Sequence, residues 1–262
     1  MLMNQKVDRI CSRITETVSA WDSVRALSLM DFISSETFDP YFFISIDVYF
    51  NGELPDFEKR KAFFPDAIAF EASRAKQKDR FLINDLPVRL EYKQMFMIDD
   101  MVSSYTAYED KFRYNGTYGL YRLQNGRVQY DPDGWITGMR KKLDSLENSF
   151  WRFLFSIFRG TTEHFFGDLN AAAMKGDRYF FTISSAGFIQ NLVRLLFAVN
   201  RRFEPSGRQV FGTVYDLDVL PEGFSGRFES FLRNDGQISL EKKTEVAELL
   251  VTSIIDMEYM LG

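Results

Sequence analysis

"FFISIDVYFNG", residues 42–52, decides the fold, because it is an apolar run interrupted by a single carboxylate. Side chains alternate between the two faces of a strand. One face of this strand therefore carries Ile44, Ile46, Val48 and Phe50, and the other carries Ser45, Asp47 and Tyr49. The pattern predicts a strand with an apolar core face and a polar face that has Asp47 at its centre.

A second stretch, "FLINDLPVRLEYKQM" (81–95), contains a strand of the same design. Val88, Leu90 and Tyr92 share its apolar face, and Arg89, Glu91 and Lys93 share its polar face. If the two strands are neighbours, Asp47 and Glu91 converge, and two close carboxylates repel unless a cation or proton intervenes. Oxygen ligands of this kind suit Mg²⁺. The alternative is an ordinary exposed strand face, on which Arg89 and Lys93 balance Glu91.

Composition excludes several other kinds of site. The chain has 262 residues and a net charge of −5, which argues against a broadly basic nucleic-acid surface. One cysteine, Cys11, and one histidine, His164, exclude an internal disulfide, a cysteine-rich zinc site and a multi-histidine metal site. The start of the chain is too polar for a signal peptide, and no apolar run approaches the ~20 residues of a membrane span. We expect a cytoplasmic protein without membrane or nucleic-acid partners; its oligomeric state stays open.

The pattern along the chain predicts a mixed first part and a helical second part. Helical spacing is expected over 4–21 and 97–115, and a first strand over 24–30. The segment "YGLYRLQNGRVQYDPDGW" (118–135) has two alternating runs around Asn-Gly, which predicts a β-hairpin. From 136 onward the helical period dominates. The predicted domains are an α/β domain, 1–135, and a helical domain, 136–262.

This order of elements resembles the nucleotidyltransferase superfamily, the fold of kanamycin and lincosamide nucleotidyltransferases and of polymerase beta. "SIDVYF" resembles the Asp-x-Asp strand of that family, and "VRLEYK" resembles the strand of its third acid. Residues 118–134 are similar to the segment that follows, and residues 172–209 to the helical carboxy-terminal domain. The resemblance is closest to a poorly characterised bacterial branch. It implies an α+β fold, a nucleotidyltransferase-like mixed sheet with flanking helices followed by an α-helical bundle domain.

The resemblance also implies a reaction and residue roles. A nucleoside monophosphate would pass from a nucleoside triphosphate to a hydroxyl of a small molecule or protein, by in-line displacement assisted by Mg²⁺ ions ~3.5–4 Å apart. Asp47 would bind the metals, and Glu91 would be a metal ligand or the general base. The implied nucleotide-binding residues are Ser45, Arg89, Lys93, Lys76, Lys78 and Arg80, the last three from the basic stretch "RAKQKDR" (74–80). The implied residues for the acceptor substrate are Lys175, Arg178 and Asn200.

Two departures from the family pattern favour a different function. Ser45 stands where the family has the first acid, which removes a ligand shared by the metals. The Gly-Ser turn is absent from "ALSLMDFISSE" (26–36), which removes a phosphate cradle. Asp31 or Asp39 could replace the lost acid. The alternative is therefore a catalytically degenerate regulatory protein that binds a nucleotide or a partner.

A remote alternative comes from "RGTTEH" (159–164). Its Arg-x4-His spacing resembles the motif of helical HEPN-type ribonucleases. There Arg159 would stabilise a phosphate and His164 would transfer a proton.

Overall fold

The computed structural model describes residues 2–30, 42–73, 75, 77–233 and 238–262, with side chains from Gln5 onward. The chain divides into two compact units. The first unit comprises Met1–Ser104 and Arg122–Ser145, and the second comprises Tyr105–Tyr121 and Leu146–Gly262. The sequence analysis predicted a single domain boundary, at residue 135. In the structure, the chain passes from one unit to the other three times, after Ser104, Tyr121 and Ser145.

The first unit contains a six-stranded sheet with the order β3-β4-β5-β2-β1-β6. The strands are β1 (Val24–Met30), β2 (Ile44–Phe50), β3 (Ile68–Ala72), β4 (Lys78–Ile83), β5 (Leu86–Gln94) and β6 (Arg127–Tyr130). β2 and β5 are parallel, and the other neighbouring pairs are antiparallel. The mixed sheet with flanking helices, the core of the predicted α+β fold, is therefore confirmed.

One face of this sheet is the apolar core of the first unit. Helix α1 (Leu2–Ser19) contacts β1, β2 and β6, and its buried residues recur at the predicted helical spacing. The apolar side chains of β2 and β5 are buried in the same cluster. Each such side chain stabilises the fold by roughly 1.5–3 kcal/mol. The predicted alternation of both strands is confirmed.

The core face also holds a buried charged cluster. Arg60, on helix α2 (Phe57–Ala62), donates from Nε to Oδ2 of Asp79 over 2.8 Å, and the Tyr92 hydroxyl donates to the same oxygen over 2.6 Å. Arg60 also donates from Nη1 to the Pro55 carbonyl oxygen over 2.6 Å. The charge of Asp79 is thus matched inside the core, where an unpaired charge would be very costly.

The predicted hairpin over 118–135 is wrong. The structure has helix α5 (Tyr118–Asn125) followed by the single strand β6, which pairs with β1. Leu120 and Leu123 are buried at helical spacing, so tertiary packing overrides the hairpin signal of Asn-Gly. The glycine instead ends the helix: the Gly126 amide donates to the Arg122 carbonyl over 2.8 Å.

The other helices follow the predicted helical segments. Residues 97–115 form α3 (Met95–Ser103), a 3₁₀ turn (Tyr105–Tyr108) and α4 (Glu109–Asn115). The helical part after residue 136 is confirmed as α6 (Trp135–Asp144), α7 (Asn148–Lys175), α8 (Arg178–Val199), α9 (Val210–Val214), α10 (Phe224–Leu232) and α11 (Leu240–Ile255). α7 and α8 pack along each other in the second unit, and α11 packs on both.

Helix α8 alone, within the described part of the chain, is long and apolar enough to cross a membrane by length and composition. Its most apolar window is 61% buried inside the protein. Buried core helices of soluble proteins can have the same length and apolar composition. The sequence analysis predicted no apolar run of membrane-spanning length.

Candidate functional site

The polar sides of β2, β5 and β4 form one surface in the first unit, here called the polar face. β2 and β5 lie in parallel register, which pairs Ser45 with Arg89, Asp47 with Glu91 and Tyr49 with Lys93. On the other side of β5, Lys78 of β4 pairs with Glu91, and Arg80 pairs with Arg89. Asp47 and Glu91 are therefore direct neighbours, which the sequence had predicted on the condition that the two strands are adjacent.

Asp47 lies at the buried centre of the polar face and is held by two cations. Arg122, from helix α5, donates to the Asp47 carboxylate from Nη2 over 2.6 Å and from Nε over 2.9 Å. Lys93 Nζ donates to Asp47 Oδ2 over 2.8 Å. Arg122 Nη2 also donates to Ser45 Oγ over 2.8 Å. The carboxylate in the middle of β2 is thus the anchor of a buried ion cluster.

The cluster keeps Asp47 ionised. Burial alone would raise the pKa of Asp47, but the nearby charges of Lys93 and Arg122 outweigh that effect, and the pKa lies below its ordinary value. Burial lowers the pKa of Lys93, which Asp47 partly restores. Burial and the Asp47 charge raise the pKa of Tyr49 well above its ordinary value, so Tyr49 is a neutral hydrogen-bond donor at 3.4 Å from Asp47.

Glu91 is also matched by cations of the protein, although it is more exposed than Asp47. Its Oε1 lies 3.3 Å from Arg89 Nη1 and 3.6 Å from Lys78 Nζ. The Arg89 guanidinium lies over the ring of Phe43, 3.9 Å from its centroid. Arg80 is exposed, and its cross-strand partners are Arg89 on one side and Glu71 on the other. The outer part of the polar face is therefore basic and open to water.

The described residues do not fit the Mg²⁺ centre that the family resemblance implies. A metal on Asp47 would have to displace or approach two cations that already bind its carboxylate. Ser45 is a hydroxyl that accepts from Arg122, not an acid. In the described ranges, no three histidine, cysteine, aspartate or glutamate side chains form a group that could hold a metal ion. Asp31 and Asp39, the suggested replacements, lie outside the described residues.

The remaining predicted residues do not converge. Arg74 and Lys76 lie outside the described residues. Lys175 ends α7 and Arg178 begins α8, both exposed, whereas Asn200 caps the other end of α8, about 33 Å away at 1.5 Å per residue. Asn200 exchanges hydrogen bonds with the Val219 backbone over 2.8–2.9 Å. Asn200 therefore holds a loop of the second unit, and the three residues do not form one site.

The residues of the ribonuclease alternative point in different directions on α7. Positions five apart are rotated by about 140° around a helix axis. Arg159 binds Glu163 over 3.0 Å and Glu258 over 2.9 Å, both at the surface. His164 is exposed, 3.6 Å from Asp168. Nothing in this arrangement favours a joint action of Arg159 and His164 on a phosphate.

Arg122 is the main functional residue that the sequence reading missed. It lay inside the predicted hairpin, where it would have been one more exposed charge. As a helical residue it falls between the buried Leu120 and Leu123 and is itself buried, which brings its side chain onto β2. The sequence did contain a signal for this position. Arg122 is the one charged residue of "TYGLYRLQNG" (117–126), a segment that has helical apolar spacing.

The fold and site thus define an α+β protein whose sheet carries an acid-centred polar face. A family model described as a domain of unknown function (DUF4037) matches residues 116–208, less than half of the chain. No curated protein matches the chain. Among solved structures, the chain is similar to a nucleotidyltransferase-like protein from Exiguobacterium sibiricum 255-15, with 12% identity and a TM-score of 0.47 over 95% of this chain and 73% of the other. The finer resemblance to kanamycin and lincosamide nucleotidyltransferases stays a prediction.

Proposed function

We propose that this chain is a nucleotidyltransferase-like protein of the cytoplasm that binds a nucleoside triphosphate without transferring its nucleotidyl group. The observation that carries the proposal is the charge arrangement of the polar face. Its two central acids are neutralised by cations of the protein, while a further basic side chain of the same face, Arg80, is exposed to solvent.

The loss of transfer chemistry is supported by the state of Asp47. In-line displacement at a phosphorus needs metal ions that stabilise the attacking and leaving oxygens. Such ions need carboxylates that are free to bind them, and the Asp47 carboxylate is bound by Arg122 and Lys93. Ser45 adds no charge. A transferase is the second reading, and it requires that a metal displace these internal cations.

Binding of a phosphate-bearing ligand is supported by the excess of positive charge. Among the described residues, the polar face and the side chains that contact or adjoin it have five basic groups (Lys78, Arg80, Arg89, Lys93, and Arg122 of α5) against three acidic ones (Asp47, Glu91, and Glu71 of β3). Arg89 and Arg80 are cross-strand partners on neighbouring strands, an unfavourable pairing of like charges that Glu91 beside Arg89 and Glu71 opposite Arg80 only partly offset. Guanidinium groups bind phosphate oxygens in a bidentate manner. The triphosphate is therefore expected against Arg89 and Arg80.

The first prediction concerns metal dependence. Titration calorimetry with ATP, GTP, CTP and UTP should give binding of at least one nucleotide, with a Kd in EDTA that is as low as, or lower than, the Kd in Mg²⁺, because Mg²⁺ bound to the triphosphate reduces the negative charge that the basic side chains attract. Arg89→Gln should weaken that binding tenfold or more, because a hydrogen bond to a charged group is worth about 1.5–3 kcal/mol. Lys59→Gln removes an exposed cation of the same unit, paired with Asp56 and outside the polar face, and should leave Kd unchanged.

The outcomes separate the alternatives. Binding that EDTA abolishes, together with release of pyrophosphate when acceptors are added, would contradict the proposal and favour a transferase. No binding of any of the four nucleotides would also reject it, and the search would then turn to a protein partner. Equal weakening by Lys59→Gln would mean that only the overall charge attracts the nucleotide.

A further inference from the structure

The guanidinium of Arg122 occupies a central position in the ion cluster. Its Nε and Nη2 both donate to the Asp47 carboxylate, and Nη2 reaches Ser45 Oγ as well. Arg122 and Asp47 are almost completely buried, with side-chain exposures of 1% and 0%. A single positive group therefore bridges the two positions, 45 and 47, that lie two residues apart on the same strand face.

We propose that Arg122 is a built-in cation that replaces a divalent metal between residues 45 and 47, so that the polar face takes its anionic ligand free of metal. The nature of the anionic ligand rests on the proposed function. Its central claim, that no divalent ion enters between these residues, is tested without any nucleotide.

Local charge is the first reason. Arg122, Lys93 and Asp47 together carry a net charge of +1. A divalent ion added to this group would raise the charge to +3 in a buried place, where unbalanced charge is very costly. With an acid at position 45 and no arginine, the same place would carry −1 and would attract a metal. Ser45 and Arg122 are thus complementary, because a neutral residue at position 45 and a cation from α5 together keep the net charge of the buried group low.

Coordination geometry is the second reason. Mg²⁺ needs six oxygen ligands at about 2.0–2.1 Å and usually keeps several waters. The Asp47 carboxylate is inaccessible to solvent, so it has no room for a hydrated ion. A guanidinium needs no waters, offers five N–H donors in a plane and does not lose its proton in proteins. The Arg122 guanidinium is part of the chain, on helix α5, so it cannot leave the site as a bound metal ion can.

The test uses Mn²⁺ as the probe and the indole N–H signals of the unchanged chain as local reporters. The Trp135 ring lies 5.0 Å from the ring of Tyr49, which hydrogen-bonds Asp47, so bound Mn²⁺ would broaden the Trp135 signal. Because Trp135 Nε1 also donates to Asp99 Oδ2 over 3.2 Å, broadening counts as binding between residues 45 and 47 only if it persists in Asp99→Asn protein. Trp21, which packs with Phe63 and Tyr92 on the core face, is the comparison signal. We expect no selective broadening of Trp135 at millimolar Mn²⁺.

A pair of variants provides the gain of function. Ser45→Asp with Arg122→Ala should bind about one Mn²⁺ per chain and lose the Trp135 signal. Ser45→Asn with Arg122→Ala, of nearly identical shape, should not. Selective loss of the Trp135 signal in the unchanged chain that persists in Asp99→Asn protein would overturn the inference, even if neither variant of the pair folds. Folded Ser45→Asp/Arg122→Ala protein that binds no more Mn²⁺ than its asparagine control would overturn it as well. Failure of the nucleotide titration, by contrast, would reject the proposed function and leave these Mn²⁺ results unchanged.

Discussion

Replacing Asp47 with asparagine is expected to lower the free energy of unfolding by about 3–5 kcal/mol, because it removes the one anion that Arg122 and Lys93 share. Two cations would then remain in a buried place, where the carboxylate that binds both has become a neutral amide. The measurement is urea unfolding followed by tryptophan fluorescence, to which Trp21 and Trp135 of the first unit contribute together with Trp151 of the second.

A matched control is Asp66→Asn. Asp66 forms an exposed ion pair with Arg13 in the same unit, with the two side chains 45% and 39% accessible. Exposed pairs contribute about 0–1 kcal/mol, so this variant should stay close to the unchanged chain. If Asp47→Asn cost no more than Asp66→Asn, the cluster would be hydrated rather than buried, and the reason for excluding a metal from it would fail.

The effect of Asp47→Asn on stability should also depend on pH. The pKa of Asp47 is lowered in the folded state, so below its ordinary value of 3.8 the unfolded chain binds the proton more readily than the folded chain does. The stability that Asp47 contributes is therefore fully present above pH 3.8 and is lost as the pH falls towards the folded pKa. The difference between the unchanged chain and Asp47→Asn should be constant from pH 5 to 7 and shrink below pH 4.

The centre of this site shows how far the sequence could lead. The period-two alternation of residues 44–50 and 88–93 is local, and it correctly gave both strand faces and the neighbourhood of Asp47 and Glu91. Electrostatics predicted that two converging carboxylates need a cation or a proton between them, and the expected cation was Mg²⁺. The identity of the cation depended on a residue 75 positions away in the chain, on a segment whose helix the Asn-Gly pair concealed. Local patterns specify the need for a partner, whereas only the tertiary fold supplies it.

The predicted substrate residues lie apart in the structure and stay a prediction, and the sequence signal behind them was weak for a related reason. Lys175, Arg178 and Asn200 are polar residues next to helix ends, where capping and dipole effects favour them whatever the function. Asp79, by contrast, is an acid on the core face that the reading passed over, since its partners Arg60 and Tyr92 come from other elements. A charge in the sequence thus indicates function only when its location, and not merely its residue type, requires a ligand.

In the second unit, Gly116→Ala is expected to lower the free energy of unfolding by about 3–5 kcal/mol. Gly116 has a φ of +62°, and an added Cβ would lie 1.8 Å from Glu204 Oε1 and 2.8 Å from Arg194 Nε. Glu204 and Arg194 form a buried pair, with Arg194 Nε 3.0 Å from Glu204 Oε2. The methyl group would push the carboxylate away and leave the buried guanidinium without its counter-charge, and breaking such a pair costs this much. Urea unfolding followed by circular dichroism measures the loss.

Gly176→Ala measures the cost of a β-carbon at a positive φ without a clash; its ψ is 21°, in the left-handed region, whereas Gly116 has a ψ of −150°. Gly176 lies in the same unit with a φ of +66°, and an added Cβ would meet nothing within 4 Å. It should therefore cost only the conformational strain of about 1–3 kcal/mol. Burial raises the pKa of Glu204 more than Arg194 lowers it, so the ionised pair is itself costly to bury. The loss of stability in Gly116→Ala would then arise because one buried charge is left without its partner, and not because the pair itself had been a large source of stability. Equal losses in the two glycine variants would show that the pair yields to the methyl group, and that Gly116 is required only for its backbone conformation.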